Sequence, residues 1–229
     1  RRPKPDDFQI KEAAELIKKS KKPIIIAGGG VFYSDATDEL SNFAKKHNIP
    51  VTQTVMGYSS MKKDHTHYLG TIGGLGGKAA NNLSKETDTA IAIGTKLADF
   101  TTGSWANFEN PNFKLVSINV SRFDANKHMA QSIVGDAKVC LQDLTLALGN
   151  WKAEDDWHKK SRIAVNAWNN YLEKESGPTN QELPSYAHVA GAIYRKSEPS
   201  DIAVTAAGGL VGEVLQVWRP RELNTHETE

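Results

Sequence analysis

The stretch Pro23-Ile24-Ile25-Ile26-Ala27-Gly28-Gly29-Gly30 decides the fold of this chain. Its β-branched run is typical of a strand buried on both faces, and the three glycines that follow are typical of a tight turn. Beyond the turn, apolar side chains recur at helical spacing at Leu40, Phe43 and Ala44. A strand, a glycine turn and a helix in this order make up one half of a parallel crossover unit.

The same alternation of strand and helix continues on both sides of this unit. Apolar periodicity predicts a helix over residues 6–20 with Asp6 as its N-cap, and a helix near 79–83. It also predicts strands at 51–54, 90–93 and 115–118, and a last helix that Asp136 caps and Gly149 ends. Strands that are apolar on both faces belong to a parallel sheet that helices cover on each side. The sequence therefore predicts an α/β fold for residues 8–148: a Rossmann-like parallel sheet of about six strands with helices on both faces.

The composition changes after Gly149. Tryptophans are spread through a polar, helical stretch up to Gly177-Pro178, which predicts a helical linker. After Pro184 a strand at 202–205, a glycine turn and a helix follow. We therefore divide the chain into a central domain (1–150), a linker (151–183) and the truncated start of a second α/β domain (184–229). Since one strand and one helix cannot bury both faces, we expect this last unit to be poorly anchored.

Composition and charge exclude several classes of protein. The 229 residues, 39% of them apolar, suffice for a full core, and 28 Lys+Arg against 27 Asp+Glu leave no basic surplus for nucleic acid. A single Cys argues against a disulfide framework and predicts a reducing, cytoplasmic compartment. The longest aliphatic run, residues 24–27, is too short to cross a membrane. Because the sequence opens with Arg1-Arg2-Pro3 and no Met, we interpret it as a piece of a longer protein.

Two glycine-rich stretches are candidate phosphate sites. Gly28, Gly29 and Gly30 could bring backbone N–H groups to a pyrophosphate or form a bare turn, since Tyr33 stands where the fingerprint needs its third glycine. Residues 70–78 fail as a P-loop because Ala79 stands where a hydroxyl must reach magnesium. They predict a flexible loop close to a ligand or to another chain. We expect both stretches to lie at carboxyl ends of strands and to form one crevice.

No catalytic or metal-binding residue is predicted in this chain. His65 and His67 would share a face if extended, but no third ligand is evident, and a polar turn explains them more simply than a metal site does. Cys140 lies on the apolar face of its helix and is predicted to point inward. The nucleophile elbow G-x-S-x-G does not occur.

Five strings, taken in order over residues 8–148, resemble the middle domain of thiamine-diphosphate enzymes such as acetohydroxyacid synthase. They are residues 23–31, residues 47–51 with Met56-Gly57, Asp64-His65 with Tyr68-Leu69-Gly70, residues 93–100, and Val134-Gly135-Asp136-Ala137. Within that family, residues 99–105 and Thr205-Ala206-Ala207-Gly208-Gly209-Leu210 resemble the branch that hydrolyses 3D-(3,5/4)-trihydroxycyclohexane-1,2-dione in myo-inositol breakdown.

The resemblance implies a three-domain hydrolase that acts on a C–C bond. A pyrimidine-binding domain supplies an activating Glu, the middle domain follows, and a diphosphate-binding domain carries a magnesium motif. It implies thiamine diphosphate and Mg²⁺ as cofactors, the cyclic dione as substrate, and a homo-oligomer, either a dimer or a tetramer. Gly208, Gly209 and Leu210 match the opening of the diphosphate-binding domain and are the expected cofactor-binding residues, with a tight turn that binds nothing as the alternative.

Other functions remain open at this point. The parent protein could be another thiamine-diphosphate lyase or transferase of the acetohydroxyacid synthase kind. The central domain could bind FAD or NAD in a redox role, or it could be a structural module that spaces catalytic domains. Flavin-bearing relatives place an Arg where this chain has Phe100, so FAD is not expected.

Overall fold

The computed structural model describes residues 2–228, and within them six strands form one parallel sheet. The strands are β1 (Pro23–Ala27), β2 (Val51–Gln53), β3 (Tyr68–Thr71), β4 (Thr89–Ile93), β5 (Lys114–Asn119) and β6 (Gln131–Val134). Their order is β3-β2-β1-β4-β5-β6, and every neighbouring pair is parallel. The predicted six-stranded parallel sheet is confirmed.

Helices cover this sheet. They are α1 (Asp7–Lys18), α2 (Gly30–Tyr33), α3 (Thr37–His47), α4 (Lys78–Glu86), α5 (Asp99–Thr102), α6 (Arg122–Ala125) and α7 (Ala137–Leu148), with 3-10 turns at Val55–Gly57 and Lys127–Met129. Every residue of β1 and β4 is buried. Because successive side chains of a strand point to opposite faces, both faces of the sheet are covered at its centre. The predicted caps also form: the Asp6 side chain accepts from Phe8 N, and the Asp136 side chain accepts from Lys138 N and Val139 N.

The rest of the chain forms a long helix and a small second unit. The elements are α8 (Asp155–Glu175), α9 (Tyr186–Lys196), β7 (Ala203–Thr205), α10 (Gly209–Val217) and β8 (His226–Thr228). Helix α8 packs against α4 and β3 of the central domain. The indole N–H of the buried Trp157 donates to the carbonyl of Pro23 at 2.8 Å, which ties α8 to the start of β1.

The unit after Pro184 differs from its prediction in two respects. A second strand is present, since β8 pairs with β7 in parallel. The unit is also docked: α10 contacts α8, α9 and β3, the Tyr58 hydroxyl donates to Trp218 O at 2.8 Å, and Lys63 N donates to Pro220 O at 2.7 Å. The expectation of poor anchoring is wrong because the central domain covers the apolar face of α10, which the small sheet could not cover alone.

Within residues 2–228, no helix combines the length and the apolar character needed to cross a membrane.

Candidate functional site

A crevice of about 760 Å³ opens at the carboxyl ends of β1, β4, β5 and β6. Strand β1 has β2 on one side and β4 on the other, so the chain leaves the sheet centre in two directions at this point. Ligands of open α/β sheets bind at such a switch point. Gly29, Thr95 and Asn119 contribute to its wall, each from the end of a different strand.

The first glycine stretch packs against the turn after β4. A Cβ at Gly28 would lie 2.4 Å from Gly94 O, and a Cβ at Gly30 would lie 2.6 Å from Gly94 Cα. Close backbone approach therefore requires glycine at both positions, whether or not a ligand binds. Gly29 and Gly30 line the crevice, as expected. The structure thus favours the tight-turn interpretation for Gly28 and leaves the backbone of Gly29 beside the crevice.

Several polar side chains that line the crevice have hydrogen-bond or ion-pair partners within the chain. The Asn119 side chain donates to Thr95 O at 3.2 Å and accepts from Ser121 N at 3.0 Å. Asp136 accepts from Arg2 at 2.9 Å while it caps α7. A hydrogen bond from Lys127 lowers the pKa of the Asp124 carboxyl, which keeps it ionised at neutral pH. The crevice offers few uncommitted polar groups for catalysis.

The rim of the crevice is apolar and exposed. Phe100 is 71% exposed, and Val120 and Phe123 nearby are also largely exposed. Phe100 and Val120 line the crevice itself. Such a rim suits a flat apolar group or another protein surface better than a phosphate.

The second glycine stretch does not line the crevice, so the prediction that the two stretches form one crevice is wrong. Residues 73–77 follow β3 and pack against the backbone of Phe100, where Gly74 N donates to Phe100 O at 2.7 Å. Gly73 has a φ of +103°, and a Cβ there would lie 2.0 Å from the same oxygen. A Cβ at Gly77 would lie 2.5 Å from the indole nitrogen of Trp168 on α8. This loop contacts its own chain.

The predicted cofactor residues follow β7: Gly208 precedes α10, and Gly209 and Leu210 are the first two residues of that helix. None of the three lines the crevice. Gly208, Gly209 and Leu210 are exposed, and a Cβ at Gly208 would meet no atom of the described residues within 4 Å. Helix α10 begins at Gly209 without a side-chain cap among the residues described. The first N–H groups of a helix have no acceptor within the helix. The turn therefore presents open backbone donors, which fit an anionic group such as a diphosphate.

Two histidines that sequence reasoning weighed as metal ligands belong to a packed cluster. His67 Nε2 lies 3.1 Å from Asn48 Oδ1, and Thr66 Oγ1 lies 3.0 Å from His67 Nδ1. The His67 ring stacks on His158 of α8 with 4.3 Å between centroids. Burial lowers the pKa of His67 to about 3, so the ring is neutral. Within residues 2–228 no three His, Cys, Asp or Glu side chains are grouped to hold a metal ion. The cluster joins α8 to the central domain, and no sequence signal pointed to His158.

Cys140 is fully buried, and burial raises the pKa of its thiol to about 12. The prediction that it points inward is confirmed.

A family model described as the thiamine pyrophosphate (thiamine diphosphate) enzyme central domain matches residues 10–144. Relatives named "3D-(3,5/4)-trihydroxycyclohexane-1,2-dione hydrolase" are 33% identical in Clostridium perfringens strain 13 over 96% of this chain, 34% in Bacillus anthracis over 98%, and 35% in Clostridium botulinum strain Alaska E43 over 100%. The chain spans 38–39% of the length of these curated relatives.

Proposed function

The chain belongs to the thiamine pyrophosphate enzyme family, and we propose that it is the central part of a thiamine-diphosphate- and Mg²⁺-dependent hydrolase that opens the ring of 3D-(3,5/4)-trihydroxycyclohexane-1,2-dione in cytoplasmic myo-inositol catabolism. One observation carries the proposal: relatives with that name align over 96–100% of the chain, the second unit included. When bound, the cofactor supplies an electron sink for breaking a C–C bond.

In this proposal the chain holds parts of two domains. Residues 1–150 are the central domain, 151–183 the linker, and 184–229 the beginning of the diphosphate-binding domain. Two features support these boundaries. Helix α7, which packs against β5, ends at Leu148, and α9 begins with a capping box formed by Ser185 and His188.

Gly208, Gly209 and Leu210 are proposed to receive the diphosphate through their backbone. The exposed position of the turn and the uncapped start of α10 support this role. The Mg²⁺ ligands are assigned to none of the residues described, because no three His, Cys, Asp or Glu side chains among them are grouped for a metal ion. The activating Glu is assigned to the pyrimidine-binding domain that the resemblance implies. The contribution of this chain is therefore binding and orientation, and no residue in it is proposed as catalytic.

The proposed partners are the cyclic dione and further copies of the protein, in a homo-oligomer; neither nucleic acid nor a membrane is proposed. Tyr186, Val189 and Ile193 form an exposed apolar stripe on α9, with Ile193 55% exposed. A contiguous apolar surface of this kind supports contact with other protein.

The test is ring opening by the full-length enzyme, with and without thiamine diphosphate and Mg²⁺. We expect hydrolysis of the cyclic dione only when both are added. Condensation of pyruvate in place of dione hydrolysis would replace this proposal with an acetohydroxyacid synthase-like one. The 229-residue chain alone is expected to show no ring opening and to bind thiamine diphosphate no more tightly than millimolar, since the other cofactor-binding partners are absent from it.

A second candidate function, FAD or NAD binding, is favoured by the crevice of about 760 Å³ at the switch point. Phe100 at its rim argues against flavin, since it offers no charge or donor to a phosphate. We expect purified protein to lack a stoichiometric flavin absorbance band. Such a band would establish the second candidate.

A further inference from the structure

The turn formed by residues 206–210 has little support of its own. All five residues are exposed, and a Cβ at Gly208 would meet no described atom within 4 Å. The strand before it, β7, has three residues and pairs only with the three-residue β8 within the part of the chain described. The position of this turn therefore depends on the helix that follows it, α10.

The central domain fixes one face of α10. Val211 and Leu215, 8% and 1% exposed, pack in one cluster with the buried Tyr58. The Leu75 side chain lies 3.4 Å from the Cβ position of Gly212, so the loop after β3 also contacts α10. At the end of the helix, the Tyr58 hydroxyl donates to Trp218 O at 2.8 Å.

One amide side chain connects three parts of the chain. Gln216 on α10 donates through Nε2 to Leu75 O at 2.6 Å, and its Oε1 accepts from the Trp168 indole on α8 at 3.1 Å. A Cβ at Gly77 would lie 2.7 Å from Gln216 Oε1 and 2.5 Å from the Trp168 nitrogen, so a side chain there would displace the two bridging groups. The glycine loop thus leaves space for this bridge.

We propose that Gln216 is a positioning residue for the cofactor: by bridging the loop after β3 and helix α8, it holds α10, and with it the turn of Gly208, Gly209 and Leu210, where the diphosphate binds. This rests on the proposed assignment of the turn to thiamine diphosphate. The central domain then contributes to cofactor affinity through α10. The glycine stretch at 73–77, which resembled a phosphate loop, acts as the platform for a phosphate-binding turn elsewhere.

The first measurement is amide hydrogen exchange in this chain. Gln216→Leu keeps a side chain of similar size and removes both hydrogen bonds. At about 1 kcal/mol for each bond, amides of α10 are expected to exchange at least about tenfold faster, while those of β1 exchange unchanged. Trp168→Phe removes one of the two hydrogen bonds, keeps an aromatic ring and is expected to raise the exchange rate of the α10 amides about fivefold. The matched control, Gln142→Leu on α7, removes one exposed hydrogen bond to Glu39 on α3 and is expected to leave hydrogen exchange in α10 unchanged.

The second measurement is thiamine diphosphate binding by the full-length enzyme. Gln216→Leu is expected to raise the Kd and the KM for the cofactor about tenfold, with kcat at saturating cofactor within twofold; a merely structural defect would lower kcat and the amount of folded enzyme instead. Gln142→Leu should alter neither constant.

The possible outcomes separate the two proposals. Unchanged exchange in α10 would overturn the role of Gln216 and leave the cofactor assignment standing. If Gln216→Leu speeds exchange in α10 but leaves the affinity for thiamine diphosphate unchanged, Gly208→Val decides between the two proposals. Weaker cofactor binding by Gly208→Val would show that the positioning role of Gln216 is wrong. Unchanged binding by Gly208→Val would show that the assignment of the turn to the cofactor is wrong.

Discussion

The central sheet and the small second sheet are built from the same motif, a strand followed by glycines and a helix, and they are stabilised differently. All five residues of β1 are buried, and strands flank it on both sides. In β7, Val204 is 64% exposed, and the strand has one partner among the residues described. The central domain buries its own strands, whereas the second unit is held by α10, which uses the central domain as its core. A motif alone does not establish an independent domain.

The glycines of the two motifs differ in the same way. Position 28 needs a glycine because the Gly94 carbonyl would clash with a Cβ there. At Gly208, by contrast, a Cβ would meet no atom of the described residues within 4 Å. A glycine after a strand therefore marks a packing contact in one region and an open surface in the other. Substitution separates these cases.

The largest effect is expected for Gly28→Ala. The new Cβ would lie 2.4 Å from a backbone oxygen, which cannot move without separating β1 from β4. We expect a loss of about 3 kcal/mol or more in the free energy of unfolding, measured by urea denaturation.

The comparison variant is Gly212→Ala in α10, where a Cβ would lie 3.4 Å from Leu75 Cδ2, an ordinary contact. Replacing a glycine inside a helix favours folding, so a gain of up to about 1 kcal/mol is expected. Equal losses in the two variants would show that the two regions are packed alike, against the contrast drawn above.

Lowering the pH is expected to reduce the stability of the chain by less than Gly28→Ala does. Two buried histidines carry this effect: His67 where α8 contacts the central domain, and His226 where the second unit contacts it. Burial lowers the pKa of His67 to about 3 and that of His226, beside Tyr58, to about 4. The groups that face His67 are His158, His65, Arg162 and Lys45. The folded state thus binds fewer protons than the unfolded state, so stability is retained above pH 6.5 and lost as the pH falls towards these values.

Each such histidine is expected to contribute a loss of up to about 2 kcal/mol between pH 7 and pH 5. His67→Gln, which can still donate to Asn48, should reduce the loss measured by urea denaturation at the two pH values. His188→Gln, which preserves the capping box of α9, is the control and should leave the loss unchanged. An undiminished loss in His67→Gln would assign the acid sensitivity to other groups.

The smallest effect on folding is expected for Ile193→Lys on the exposed face of α9. Because the side chain is 55% exposed, the substitution should change the free energy of unfolding of this chain by no more than about 0.5 kcal/mol, as measured by thermal denaturation. In the full-length enzyme the same charge would lie on the proposed contact surface, and sedimentation should show weaker assembly. Unchanged assembly of the variant would show that α9 is not part of the contact surface between copies.

Local sequence pattern located much of the central domain. The β-branched runs gave β1 and β4, helical spacing gave α1 and α7 with their Asp caps, and the inward direction of Cys140 followed from the same periodicity. Strands β3 and β6 were not located individually. They are the edge strands, with sequences YLGT and QSIV, and an edge strand carries polar or small residues that weaken the apolar signal.

The sequence by itself determined the parallel α/β fold and the family, because both depend on residues whose spacing along the chain is fixed. Only the tertiary structure decided that Gly28 packs on Gly94, that His67 stacks on His158, and that Gln216 bridges Leu75 and Trp168. The physical reason is separation: Gln216 and Leu75 are 141 residues apart, and Tyr58 and Trp218 are 160 apart. Periodicity tells which face of an element is apolar, and it carries no information about which distant element covers that face.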